Sequence, residues 1–151
     1  MVRILIAEDR QIVRMALAQR IAESDPDWFI CGEAMDGREA IEKAKKLKPD
    51  VVVLDYAMPV LDGIKAGREV LALLPGVGVL VYTFMVFPAI ERMAKDAGIH
   101  AVVQKADSSA LIAEIRKLRD RKSTLVNKTA KDRVSSDADV EGPLAVDGDP
   151  H

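Results

Sequence analysis

Five short apolar runs alternate with helical patterns along this chain of 151 residues, and that alternation limits its fold more than any other feature. The runs are Val2 to Ala7, Phe29 to Gly32, Val51 to Leu54, Val77 to Tyr82 and Ala101 to Val103. Short runs rich in branched residues read as buried strands. Between them, apolar residues recur at helical spacing, as Val13, Ala16, Leu17 and Ile21 do, and then Ala40, Ile41, Ala44 and Leu47. Ile64, Val70, Leu71 and Leu74 mark a third helix, and Leu111, Ile112, Ile115 and Leu118 mark the last. Strict strand–helix alternation predicts an α/β fold, a doubly wound parallel sheet of five strands covered on both faces. Right-handed crossovers leave few topologies. The flavodoxin-like (β/α)5 order 2-1-3-4-5 is expected, with the weakly apolar second strand at an edge.

The punctuation fits. Asp25-Pro26-Asp27 and Pro49-Asp50 end helices, while Asp36, Asp62 and Asp107 stand where helices open. A helix from about Pro88 stops at Gly98, a residue suited to the left-handed position past a helix end. Residues 71–90 carry no charge and match a membrane span in length. Pro75-Gly76, Gly78 and Pro88 break that stretch into helix end, turn, strand and loop. The expected domain is 1–122. Residues 123–151 hold six acids and three bases with scattered valines, and are expected to be a disordered polar tail.

Composition removes several functions. A formal net charge of −2 gives no sign of a polyanion partner. Cys31 is the sole cysteine, so an intramolecular disulfide is excluded, and His100 and His151 are too few for a zinc site. The amino terminus runs from Met1-Val2-Arg3 into a short apolar segment and then acids, unlike a secretory signal. The expected address is the cytoplasm, with no membrane attachment.

Chemistry gathers where the apolar runs end. The first is followed by Glu8-Asp9, the third by Asp55; Thr83 and Lys105 follow the fourth and fifth. Open parallel sheets bind ligands at the carboxyl ends of their strands. In the expected order the first and third strands are neighbours, so Glu8, Asp9 and Asp55 converge. Three carboxylates that close repel one another unless a cation binds, and hard oxygen ligands in an open cleft suit Mg²⁺. Asp55 is the candidate nucleophile for a phosphoryl group. Asp9 is a direct metal ligand, Glu8 a direct or water-mediated one, and the backbone carbonyl of Ala57 completes the shell. Lys105 and the Thr83 hydroxyl are placed to meet the phosphoryl oxygens.

These residues resemble the receiver domain of two-component response regulators, in the style of the NarL/FixJ group. The resemblance covers roughly Val2 to Arg119. It rests on Ile4 to Asp9, Gly32-Glu33-Ala34, Asp36 to Ala40, Pro49 to Asp55, Met58-Pro59, Asp62-Gly63, Thr83, Ala97-Gly98 and Lys105-Ala106-Asp107. It implies phosphotransfer to Asp55 from a sensor histidine kinase or a histidine phosphotransfer protein, with Mg²⁺. It also implies a response on the face of the fourth helix, fifth strand and fifth helix, where a homodimer can form. Such a protein is a switch, not an enzyme on other substrates.

Two positions depart from the family pattern. Val102 stands where the family usually has an aromatic residue three before the lysine, so that reporter is absent or replaced. Phe84 stands where the residue after the threonine is usually small; with Met85-Val86-Phe87 it restricts access to Asp55, packs in the core or loop as such runs more often do, or forms a docking patch. The expected output is binding to another, unnamed protein, since no basic recognition helix appears that would contact DNA directly. Three alternatives stand beside this reading. A DNA-binding regulator would need an output domain beyond these residues. A phosphorylation-independent binding module would use Val102 and Phe84. A haloacid-dehalogenase-type enzyme would need its nucleophile after the first strand and a second aspartate two residues on; Ala57 occupies that place after Asp55.

Overall fold

Branched residues fill the strands and aspartates cap several of the helices, as a computed structural model of the chain shows for residues 1–121. The elements are β1 (Val2–Ala7), α1 (Gln11–Ser24), β2 (Trp28–Ala34), α2 (Gly37–Leu47) and β3 (Val51–Asp55), then α3 (Gly63–Leu73), β4 (Gly78–Thr83), α4 (Pro88–Asp96) and β5 (Ala101–Gln104). A fifth helix, α5, covers 108–121 of the described residues. The expected tail, 123–151, lies outside them. The chain divides into two compact units: Met1–Arg116, which carries the whole sheet, and Lys117–His151, of which only helical residues 117–121 are described.

All strand pairs are parallel, in the order β2-β1-β3-β4-β5. This is the flavodoxin-like arrangement the sequence predicts. β1, β3 and β4 occupy the centre and are buried almost throughout. Their side chains alternate between the two faces. Leu5, Val52, Leu54, Val79 and Val81 join a core with residues of α2, α3 and α4, including Ala40, Ile64, Val70 and Ile90. Each fully buried Ile, Leu or Val contributes about 1.5–3 kcal/mol relative to exposure.

Local chemistry sets the helix ends. The side chains of Asp36 and Asp62 accept hydrogen bonds from Glu39 N–H and Lys65 N–H at 2.8 and 2.9 Å. Each satisfies a donor that the first helical turn leaves open. Gly98 has φ +84°, the left-handed conformation expected there.

Several boundaries differ from the sequence reading. β2 runs from Trp28 to Ala34, longer than Phe29 to Gly32, because β1 pairs along its whole length with a register shift between Ile4 and Leu5. β4 begins one residue later than Val77 and reaches Thr83, and β3 reaches Asp55. Asp55 and Thr83 therefore belong to the strands, whereas Glu8 and Lys105 follow the ends of β1 and β5. On α1 the expected stripe is only partly covered: Ile21 is buried, Val13 and Leu17 are half-buried, and Ala16 is exposed. A groove of about 400 Å³ separates this part of α1 from Tyr82, Val103 and Leu111.

Candidate functional site

The register of the sheet brings the candidate residues together. Ala7 pairs with Leu54, Asp55 with Tyr82, and Thr83 with Gln104, so the carboxyl ends of β1, β3, β4 and β5 lie side by side. Glu8 follows β1 and is fully buried, Asp55 is 2% exposed, and Thr83 is 8% exposed. Asp9 faces solvent. One carboxylate oxygen each from Glu8, Asp9 and Asp55 lies within 4.8 Å of the others. Lys105 follows β5 and reaches back, its Nζ 3.0 Å from Asp55 Oδ1 and 3.4 Å from Glu8 Oε1.

The loop after β3 holds the carboxylate in place. Ala57 N–H approaches Asp55 Oδ1 at 3.3 Å, and Gly63 N–H donates to Tyr56 O at 2.9 Å. A Cβ on Gly63 would stand 2.3 Å from the Asp55 carbonyl oxygen, so glycine is required for this approach. Farther along, Val60 has φ +71° and Leu61 N–H donates to Pro59 O at 2.7 Å, which makes a tight turn of the strained γ type.

Burial and like charge act on Glu8. Burial first, then a hydrogen bond with Asp55 and the Asp55 charge, push its carboxyl up to about 7, against a smaller opposing pull from Lys105. That hydrogen bond needs a proton on one of the two acids. When both are ionised, Glu8 Oε2 is buried with no hydrogen-bond partner among the described residues. An acceptor of this kind beside two more carboxylates fits a hard divalent cation, which removes the repulsion and the unsatisfied oxygen together.

Three further residues belong to the site. Arg10 Nε lies 3.4 Å from Glu8 Oε1, the oxygen Lys105 also approaches. The Phe84 ring spans the two cations: its centroid is 4.7 Å from the Arg10 guanidinium carbon and 4.5 Å from Lys105 Nζ. Tyr82 supplies a second ring, 5.0 Å from Lys105 Nζ. Burial and the neighbouring acids Glu8 and Asp55 drive the Tyr82 phenol far above its usual range, so it stays protonated. Sequence reasoning finds the bulk of Phe84 but not its cations. Arg10, next to Glu8-Asp9, is the available signal for the second positive charge.

The response regulator receiver domain family matches residues 4–116. Chemotaxis protein CheY of Thermotoga maritima is 39% identical over 99 residues, covering 62% of this chain and 81% of that protein. A protein-glutamate methylesterase/protein-glutamine glutaminase of Myxococcus xanthus is 39% identical over 122 residues, covering 78% of this chain, and the chain spans only 34% of its length. Among solved structures, the signal receiver domain of the putative response regulator NarL from Mycobacterium tuberculosis superposes with a TM-score of 0.72 at 29% identity, covering 77% of this chain and 94% of that one. The chain belongs to the response regulator receiver domain family, and its role is that of a phosphoacceptor receiver in two-component signalling.

Proposed function

We propose that Asp55 is the phosphoacceptor, and that its donor is the phosphohistidine of a sensor histidine kinase or a histidine phosphotransfer protein. The observation that carries this is the contact of Lys105 Nζ with Asp55 Oδ1 at 3.0 Å, beside an acid cluster whose Glu8 Oε2, once ionised, lacks a hydrogen-bond partner among the described residues. In the reaction an Asp55 oxygen attacks phosphorus and the nitrogen–phosphorus bond breaks. The imidazole leaves with that bond's electron pair and takes up a proton.

Glu8, Asp9, Asp55 and the Ala57 carbonyl would hold Mg²⁺, which supplies charge neutralisation at the phosphoryl oxygens. Lys105 meets one phosphoryl oxygen and the Thr83 hydroxyl donates to another. The protein acts as a switch whose catalysis is confined to its own phosphorylation and dephosphorylation. Its output is binding to another protein, without direct nucleic-acid contact, and the face of α4, β5 and α5 is the candidate homodimer surface. The receiver is assigned to 1–122. No helix among the described residues is long and apolar enough to cross a membrane, and a cytoplasmic location is proposed.

Acetyl phosphate with Mg²⁺ tests the assignment directly. Intact-mass measurement should show one added phosphoryl group on wild type and none on Asp55→Asn. Equal uptake by the variant would place the phosphoryl group elsewhere.

A further inference from the structure

Arg10 is a cation with no part in the chemistry described so far, yet it sits on the same oxygen as the site lysine. Its Nε and Lys105 Nζ each lie 3.4 Å from Glu8 Oε1. The two differ in exposure. The Lys105 side chain is 8% exposed, whereas that of Arg10 is 48% exposed and so lies at the solvent side of the site. Its position is not fixed by the helix it precedes, because Arg10 is the N-cap of α1 and its side chain makes no capping bond. What holds it is Glu8 on one side and the Phe84 ring, 4.7 Å away, on the other. A guanidinium against an aromatic face is favourable and leaves its N–H groups available to an anion.

Charge decides what such a residue does. With all three carboxylates ionised, as metal binding requires, they meet two cations and leave a single negative charge. A divalent metal would turn that into a positive excess, so Arg10 opposes metal binding. A phosphoryl group brings a charge of about −2 in place of the single charge of Asp55. With metal, Lys105 and Arg10 all present, the phosphorylated site comes out neutral; without Arg10 it keeps an uncompensated negative charge.

We propose that Arg10 is a second cationic ligand of the phosphoryl group, held at the site mouth by Phe84, and that before phosphorylation it competes with the metal for Glu8. The proposal rests on the assignment of Asp55 as phosphoacceptor. Phe84 is then a positioning residue: it contacts both cations and acts on the phosphoryl group through them. Its place after Thr83 gains a purpose beyond bulk.

The test uses the full chain and reads two quantities expected to move in opposite senses. Calorimetric titration with Mg²⁺ alone should show Arg10→Ala binding about threefold tighter than wild type, the scale of one half-exposed ion pair. After phosphorylation by acetyl phosphate and removal of the donor, the same variant should lose its phosphoryl mass about threefold faster. Arg10→Lys should restore much of the lifetime. Phe84→Leu should shift both readouts as Arg10→Ala does, and Phe84→Tyr, which keeps the ring, should behave as wild type. A variant that is merely misfolded weakens Mg²⁺ binding as well as shortening lifetime, and that common direction would overturn the proposal. Unchanged lifetimes with uptake intact would overturn it while leaving Asp55 as acceptor. Absence of uptake in wild type and every variant would remove the Asp55 assignment, and the role of Arg10 with it.

Discussion

Gly63 touches Asp55 through the backbone: the hydrogen that stands in place of a side chain on Gly63 faces the Asp55 carbonyl oxygen, where a Cβ would be 2.3 Å away. The first turn of α3 thus lies directly against the tip of β3. Gly63→Ala must push that backbone apart, since a carbonyl cannot swing aside as a flexible side chain can. Overpacking of this kind costs about 1–3 kcal/mol. Urea unfolding should show that loss, and phosphoryl uptake from acetyl phosphate should slow. A variant with wild-type stability would mean that the loop relaxes freely.

Glu8 links the site to pH. Its folded carboxyl is raised to about 7 from 4.5, chiefly by burial. The folded chain therefore keeps a proton between these values that the unfolded chain has released. This contribution to stability is fully present below pH 4.5 and is lost as pH rises through 7. Without metal, the melting temperature should fall from about pH 5 to about pH 8 in wild type and fall less in Glu8→Gln. Mg²⁺ needs the ionised form, so its affinity should rise roughly tenfold from about pH 6 to about pH 8. A pH-independent affinity would contradict Glu8 as a ligand.

Lys105 has two buried anionic neighbours, and its loss is a problem of charge as well as of chemistry. Lys105→Met leaves Glu8 and Asp55 facing each other with one counter-charge fewer. Removing one partner of a buried ion pair costs about 3–5 kcal/mol. Part of that cost should be recovered by millimolar Mg²⁺, measured as a larger metal-induced rise in melting temperature than wild type shows. Equal rises in the two proteins would argue against a shared metal and lysine field.

The sequence makes the site legible because each candidate ends an apolar run, and a parallel sheet must present such ends together. Glu8, Asp55, Thr83 and Lys105 need only the strand order to meet. The packing of α1 is not legible in the same way. That helix carries apolar residues all round, with Ile12 and Met15 exposed at 83% and 58%, so spacing does not single out one buried face. The stacking of Arg10 and Lys105 on Phe84 escapes for another reason: it depends on rotamers, which no spacing encodes. His100, just before β5, is exposed, and its ring Nδ1 accepts a hydrogen bond from Val79 N–H at 3.1 Å, just before the β4–β5 ladder begins at Leu80 and Ala101.

Strain in the loop after β3 gives a test of opposite sign. Val60 is a branched residue with φ +71° and is 75% exposed, so little packing would be lost by removing its side chain. A non-glycine residue in such a conformation costs about 1–3 kcal/mol. Val60→Gly should therefore raise the melting temperature by about 3 °C, as measured by calorimetry. A decrease would show that the added freedom of glycine in the unfolded chain outweighs the relief.

Phe84 belongs to two environments at once, with its ring over the site cations and 61% of its surface in solvent. Any macromolecule that grips the outward part of the ring also alters how firmly Arg10 and Lys105 are kept over Glu8. Occupancy inside and attachment outside then become thermodynamically linked, and the factor by which one changes the other is the same in both directions. A receiver with Val102 in place of the usual aromatic reporter would have, in this single side chain, a direct line from phosphate to surface.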